Sequence, residues 1–158
     1  MEKFFQNLRE ADKIIKAVDH LVYVTFPLVK DKRMLLKTLV ELKNAIALCI
    51  NAILQRDYIY RKIRLYKDAK ENFRTFGEKC AQGYGINQNE VNQIAKIFEI
   101  AEKHKRSPLE FVRHDKVVIM SENFNTETIT HEKLKEYVIL AKNVLAKIEN
   151  SLKDQQFP

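Results

Sequence analysis

Apolar residues recur every three or four positions along most of this chain, and that spacing places them on one face of an α-helix. The first such segment, residues 4–24, predicts a helix whose apolar positions step alternately by four and three. These positions are Phe4, Leu8, Ala11, Ile15, Val18 and Val22. We expect this helix to end near Thr25, because Pro27 disfavours helical backbone in the residue before it and cannot donate to the preceding turn.

A second helix is predicted after Asp31, whose carboxylate is a suitable N-cap. It carries two adjacent apolar stripes, and the resulting wide apolar face predicts a central position in the fold. The stripes are Leu35, Leu39, Leu42, Ile46, Cys49 and Ile53, and beside them Leu36, Val40, Ala47, Ile50 and Leu54. The pattern allows the helix to continue to Ile63 or Leu65, with a kink or a new helix after Arg56 as the alternative.

A third helix is predicted over residues 68–82. It opens with Asp68 as its cap and Glu71 three residues later, and it ends at Gly83 and Gly85. The side chains that we expect it to bury are Ala69, Phe73, Phe76 and Cys80.

Two more helices follow the same periodicity. One covers residues 87–104 and begins with Asn87, which has Glu90 three residues later, and the other covers residues 131–152 after Thr130 as its cap. The predicted buried faces are Val91, Ile94, Ala95, Phe98 and Ala101, and in the last helix Leu134, Tyr137, Val138, Ala141, Val144, Leu145, Ile148 and Leu152.

The segment between these two helices has the weakest helical pattern. Residues 107–110 combine a capping box with Pro108 at the first helical position, which predicts a helical turn. Residues 116–120 are β-branched and apolar, residues 126–130 alternate, and a turn-like stretch separates them. Together they predict a small β-hairpin near residues 115–130 that packs against the helices.

These elements predict a mainly all-α protein, an up-and-down bundle of about five helices with one small hairpin. The chain of 158 residues fits one domain covering residues 1–158 and is long enough to bury a core without disulfides. Cys49 and Cys80 both fall on apolar stripes, so we expect buried, reduced thiols.

Charge adds a functional indication. The chain has 28 basic and 21 acidic residues, a net charge of +7, which favours anionic partners such as RNA or an acidic protein. The alternative is that this charge only keeps a small protein soluble. The first residues lack the pattern of a signal peptide, and no long uninterrupted apolar run is present, so we expect a cytoplasmic protein without a membrane partner.

Several kinds of chemistry are disfavoured by residue spacing. The only glycine pair, Gly83 and Gly85, follows a helix and lacks the Lys-Ser or Lys-Thr of a phosphate-binding loop. The four histidines show no metal-binding spacing, so we expect neither a metal nor a cofactor. One compact polar cluster, Arg113-His114-Asp115, has the groups for acid/base cleavage of RNA. Neighbouring residues on a strand point to opposite faces, however, so Arg113 and His114 would not converge, and we favour the interpretation that the cluster is a polar connection into the hairpin.

The segment Arg56–Lys70 is the most suggestive of function. It holds six cations against two carboxylates, with three tyrosines interleaved. Cations neutralise phosphates and tyrosine rings can stack on bases, but the stronger interpretation of the rings is that Tyr60, with Ile63, extends the apolar stripe of the second helix. A second basic patch closes the fourth helix, where cations also favour the helix C-terminus. The candidate nucleic-acid-binding residues are Arg56, Tyr60, Arg61, Lys62, Arg64, Lys67, Lys105, Arg106, Arg113 and His114.

Two blocks, residues 20–36 (HLVYVTFPLVKDKRMLL) and residues 105–124 (KRSPLEFVRHDKVVIMSENF), resemble a family of small archaeal proteins. This resemblance implies an archaeal cytosolic origin and carries no known activity or catalytic residue. The helical layout is also loosely similar to HEPN-type bundles. Active HEPN members use an Arg followed four to six residues later by His, whereas Arg106 and His114 are further apart here. Inactive HEPN-like members serve as dimerising or partner-binding modules.

Three hypotheses follow. The first is a non-catalytic helical module that binds a macromolecular partner, either RNA (alone or as ribonucleoprotein) or a protein. The second is a HEPN-like or other metal-independent ribonuclease that uses His114 and neighbouring cations. The third is a structural homodimer that shares part of the apolar face of the second or last helix.

Overall fold

The computed structural model describes residues 2–114 and 116–156 of the chain. Its helices are α1 (Glu2–His20), α2 (Phe26–Val29), α3 (Arg33–Ile59), α4 (Ala69–Thr75), α5 (Gln88–Arg106) and α6 (His131–Gln156). Its strands are β1 (Leu109–Arg113), β2 (Lys116–Met120) and β3 (Thr126–Ile129). The predicted fold class is therefore confirmed: the protein is mainly helical, with a small antiparallel sheet.

The prediction that the first helix ends near Thr25 is wrong. A π-helical turn over Leu21–Thr25 joins α1 directly to α2, which ends at Lys30 in a left-handed conformation. In a π-turn each N–H donates to the carbonyl five residues earlier, and Phe26 N accordingly donates to Leu21 O. The next donor in this register would be Pro27, which has no N–H, so the carbonyl of Val22 needs a different partner.

That partner is His131, the first residue of α6. Its Nε2 lies 2.6 Å from Val22 O, and its ring lies 4.6 Å from the ring of Phe26. A side chain from a distant helix thus supplies the hydrogen bond that the proline cannot make, which allows the helix to pass through Pro27. The same contact ties the beginning of α6 to the end of α1.

α3 lies at the centre of the bundle and packs against α1, α5 and α6. It begins at Arg33 with Lys32 and not Asp31 as its N-cap, although the Asp31 carboxylate accepts a hydrogen bond of 3.0 Å from the Arg33 backbone N–H. The predicted continuation to Ile63 or Leu65 is wrong, because the helix ends at Ile59. A Schellman motif closes it there, with Arg61 in the left-handed conformation that glycine usually occupies.

α3 is also, among the described residues, the one helix long and apolar enough to cross a membrane by length and composition. In this fold 56% of its most apolar window is buried inside the protein. Its apolar residues form much of the core of the bundle.

α4 starts at its predicted cap, where the Asp68 side chain accepts from the Lys70 N–H over 3.0 Å. A second π-turn, Phe76–Cys80, and a 3₁₀ turn continue the helix to Gly85, whose φ of 77° is readily adopted by glycine. Phe76 and Cys80 are buried as predicted and Phe73 is partly buried. Ala69 is exposed, contrary to the prediction, because it lies in the first turn of α4 at the surface.

α5 begins with the predicted capping box, in which Asn87 and Glu90 bind each other's backbone N–H groups. The Glu90 carboxylate also accepts a hydrogen bond from Lys147 on α6. One carboxylate therefore caps α5 and joins it to the neighbouring helix. The Thr130 side chain accepts from the Lys133 N–H over 3.1 Å at the start of α6, as predicted.

The sheet has three antiparallel strands in the order β1–β2–β3, one more than the predicted hairpin. β1 replaces the helical turn that the capping box at residues 107–110 predicted, so that prediction is wrong. The Ser107 hydroxyl accepts from the Leu109 N–H and lies within hydrogen-bonding distance of two carbonyls, Leu109 O at 2.7 Å and Met120 O at 2.6 Å, which share its single proton. It thereby closes the base of the β1–β2 hairpin. Pairing with β2 satisfies the β1 backbone better than an isolated helical turn would.

A single cluster of buried apolar side chains connects the helices with β2 and β3. Cys49 and Cys80 belong to this cluster and are free and buried, as predicted. No side chain of β1 belongs to it. β1 thus lies at the margin of the fold.

Candidate nucleic-acid interface

The last residues of α3 and the loop that follows them present aromatic and cationic side chains together. We call residues Tyr58–Lys67 the basic loop; it contains four cations and no carboxylate. Its tyrosines are about half exposed, at 54% for Tyr58, 53% for Tyr60 and 43% for Tyr66. The cations Arg61, Lys62, Arg64 and Lys67 are all exposed, and within the described ranges none of them forms an ion pair.

Three contacts hold the basic loop against the bundle. The Asn72 side chain clamps the Tyr66 backbone, accepting from its N–H and donating to its carbonyl, each over 2.8 Å. Ile63 packs into the core with 9% of its surface exposed. The Lys62 N–H donates to Asp57 O over 2.9 Å and closes the end of α3. The loop is therefore held in one conformation while its polar groups stay in water.

A buried polar cluster lies beneath the basic loop. The Tyr84 hydroxyl donates to Asp57 Oδ1 over 2.8 Å and accepts from Arg56 Nη1 over 3.2 Å. Burial, followed by the neighbouring Asp57, raises the pKa of the Cys80 thiol to about 12. Burial likewise raises the pKa of Tyr84 to about 12. The Cys80 thiol and the Tyr84 hydroxyl therefore keep their protons at neutral pH.

Arg56 has a different position from the one that its sequence context predicted. Only 6% of its surface is exposed, so a solvent-borne ligand does not reach it in this structure. Its guanidinium lies 5.0 Å from the centre of the Tyr60 ring, which it supports from below. Arg56 is thus a supporting residue of the basic loop, and we leave it out of the candidate contact surface.

The second basic patch, at the end of α5, is largely occupied by acidic neighbours. Arg106 lies 2.7 Å from Glu102, and Lys103 lies 3.1 Å from both Glu99 and Glu127. Partial burial opposes ionisation of Glu127, but hydrogen bonds from Lys96 and Lys103 outweigh it and lower the pKa of Glu127. Lys105 is exposed. These ion pairs leave little free positive charge on this patch.

Arg113 and His114 lie at the tip of the β1–β2 hairpin, and both are exposed. His114 has a left-handed φ of 55°, and no hydrogen bond joins its ring to another described side chain. Asp115, the third member of the cluster predicted from the sequence, lies outside the described residues. The structure therefore shows no assembled acid/base site at His114 within the described part of the chain.

A groove of about 1110 Å³ runs between α3, α4, α5 and the β2–β3 turn. It brings together parts of both basic segments, since Lys70 and Arg106 each line it. Its charged residues are balanced, with four cations and four carboxylates, and its floor is apolar. The charged residues are Lys43, Lys70, Lys103 and Arg106 with Asp68, Glu99, Glu102 and Glu122, and the floor includes Ile50, Leu54, Phe73 and Phe98.

The sequence reasoning missed two features of this region. Asn72 gave no signal, because an asparagine that clamps a backbone six residues away looks like any polar helix residue. Tyr58 and Tyr66 are not among the binding residues predicted from the sequence, although Tyr58 is as exposed as Tyr60. In the described part of the chain, no three His, Cys, Asp or Glu side chains converge as a metal site would require.

No protein-family model matches the chain, and no curated protein matches it.

Proposed function

We propose that this protein is a non-catalytic, cytoplasmic module that binds single-stranded RNA through the basic loop. The observation that carries the proposal is the combination of three half-exposed tyrosines and four exposed cations on ten consecutive residues without a carboxylate. Cations supply sequence-independent attraction to phosphates, and rings supply stacking on bases. The resemblance to partner-binding HEPN-like bundles agrees with such a role.

Single-stranded RNA fits better than a duplex because stacking requires unpaired bases. In an RNA helix the base faces are covered by their neighbours, and protein rings reach them only in loops, bulges and single strands. The Asn72 clamp and the buried Ile63 hold the loop in place before binding, so less conformational entropy is lost when a strand binds.

The basic loop is also a better phosphate surface than the neighbouring groove. The groove has as many carboxylates as cations, and several of these are already paired with each other. Its net attraction for a phosphate backbone is therefore small. Within the described part of the chain, the cations of the loop form no ion pair that a phosphate would have to break.

Fluorescence anisotropy with a labelled single-stranded RNA of about 12 nucleotides tests the proposal. If all four cations contact phosphates, the logarithm of the affinity falls with the logarithm of salt with a slope of about −3. The double variant Lys62→Ala/Arg64→Ala should reduce the magnitude of this slope by about 1.4. The matched control Lys37→Ala/Lys116→Ala removes two exposed cations elsewhere and should leave the slope nearly unchanged.

A second pair of variants tests stacking. Tyr66→Ala should weaken RNA binding by about 5- to 150-fold, which corresponds to about 1–3 kcal/mol per stacked base. Tyr23→Ala is its control, because Tyr23 is equally exposed at 43% and lies outside the loop. RNA affinity that is insensitive to salt, or equal in loop and control variants, contradicts the proposal.

The same RNA, incubated with the wild-type protein and analysed on a denaturing gel, tests the non-catalytic part. We expect intact RNA, because the described residues around His114 form no acid/base site. Cleavage by the wild type that is lost in His114→Ala would show that the protein is a ribonuclease instead.

A further inference from the structure

β1 is an edge strand with unusually apolar, exposed side chains. In the order β1–β2–β3, only β2 lies beside it. Leu109 is 50% exposed, Phe111 37% and Val112 52%, and none of them belongs to the core. An exposed apolar edge strand offers both hydrogen-bonding groups and apolar surface to a further strand.

The outward-facing backbone groups of β1 can be assigned from the register. Arg113 pairs with Lys116, and two residues connect them. In such a hairpin the residues that flank the turn exchange hydrogen bonds, and the direction alternates from there. Arg113, Phe111 and Leu109 therefore bond towards β2, while the N–H and C=O groups of Glu110 and Val112 face outward.

We propose that β1 pairs in an antiparallel manner with β1 of a second copy of this chain, across a twofold axis at Val112. The two sheets then form one continuous sheet of six strands. The contact is isologous, because each copy contributes the same strand. Each Val112 exchanges two backbone hydrogen bonds with its equivalent, using the groups that face outward in the single chain.

The cross-strand side-chain pairs favour this register. With Val112 opposite Val112, Phe111 lies opposite Arg113 of the second copy, which permits a cation–π contact. The paired positions end at Arg113, because His114 is already in the turn, so the two Glu110 carboxylates are not placed opposite each other. A register centred on Glu110 would instead oppose two carboxylates, and one centred on Phe111 would place Arg113 opposite Leu109.

Disulfide trapping tests both the partner and the register. Directly opposite residues of a hydrogen-bonded pair have Cα atoms about 5.5 Å apart, which is within disulfide reach. Val112→Cys should therefore yield a covalent dimer on mild oxidation. Leu109→Cys is the matched control, since it is equally exposed but lies about 20 Å from its equivalent in this register.

We expect Val112→Cys to cross-link at least tenfold faster than Leu109→Cys. Equal rates, or no cross-linking in either variant, would overturn the proposal. The native thiols do not interfere, since Cys49 and Cys80 are each only 1% exposed.

Analytical ultracentrifugation gives an independent readout on the unmodified chain. The wild type should show a mass that rises towards two chains over the micromolar to submillimolar range. Val112→Lys places two like charges opposite each other and should shift the protein to one chain, while the β-branched control Val112→Thr should behave as the wild type. A wild type that stays a single chain throughout, or a Val112→Lys variant that associates as the wild type does, refutes self-pairing at this edge. Circular dichroism confirms that each variant is folded.

Discussion

The hydrogen bond between His131 and Val22 leads to a stability prediction that tests the account of the first helix. In His131→Phe the aromatic ring can still pack on Phe26, but the Nε2 donor is lost. The carbonyl of Val22, a residue with 2% of its surface exposed, is then left without its side-chain partner. Leaving a buried acceptor unsatisfied costs about 1–3 kcal/mol.

The expected magnitude is measurable in a chain of this length. One kcal/mol shifts Tm by about 2–4 °C in proteins of about 150–250 residues, so His131→Phe should lower Tm by roughly 2–12 °C. Thermal unfolding followed by circular dichroism measures this shift, and urea unfolding gives the free energy directly. His20→Phe, at an exposed position, should change the stability by less than about 0.5 kcal/mol.

A second substitution tests the proposed cause. Pro27→Ala restores an N–H five residues after Val22, where the π-turn register requires a donor. In the His131→Phe background it should recover part of the lost stability, so the two changes should be less destabilising together than the sum of their separate effects. Additive effects, or a His131→Phe variant as stable as the wild type, would refute the idea that His131 replaces the donor that proline lacks.

Three further outcomes are expected. Asn72→Ala removes two hydrogen bonds to the Tyr66 backbone and should destabilise the protein by about 1–3 kcal/mol, and it should weaken RNA binding in the anisotropy assay although no charge is lost. The pKa of Glu127 is lowered in the folded protein, so its contribution to stability is present above its usual titration range and is lost as pH falls through the folded pKa. Glu127→Gln should therefore lower the free energy of unfolding at neutral pH, measured by urea titration, and this free energy should then decrease less as the pH is lowered. The thiols of Cys49 and Cys80, whose pKa values burial raises to about 12, should react with a thiol reagent only after denaturant is added, and fast reaction in the native protein would contradict their burial.

The helices of this protein were predictable because their signals are local. The capping box of Asn87 and Glu90 and the cap at Thr130 depend on residues within one helical turn, and the structure forms both. The apolar stripes of α3 predicted a central helix because burial selects one face of a helix over many turns. The hairpin strands β2 and β3 were also predictable, because β-branched composition and alternation are local features of the sequence.

Most of the errors arose where contacts with distant residues override the backbone conformation that the local sequence favours. Pro27 normally ends a helix, but His131, more than a hundred residues later, provides the missing hydrogen bond. The end of α3 was missed because its left-handed closing position is occupied by Arg61 and not by the glycine that marks such positions in sequences. Ser107 and Pro108 have the sequence of a helix start, but pairing with β2 places the following residues in a strand.

The residue types of the candidate site were predictable from the sequence, but which of these residues are exposed was not. Four cations and the tyrosines between Tyr58 and Lys67 are visible in the sequence, and the structure exposes them on one loop. The burial of Arg56 was not visible, since nothing local distinguishes a cation that enters the core from its exposed neighbours. Its environment depends on Tyr84, which reaches it only when the chain has folded.

The two roles of Glu90 link local unfolding events that would otherwise be independent. Its carboxylate caps α5 and accepts a hydrogen bond from Lys147 on α6, so fraying of the first turn of α5 also releases α6 from this contact. Backbone amides near residues 90 and 147 should then exchange with solvent as one cooperative unit in native-state hydrogen exchange. The two helices would thus open together. States in which only one of them is unfolded at this end of the bundle should therefore be rare.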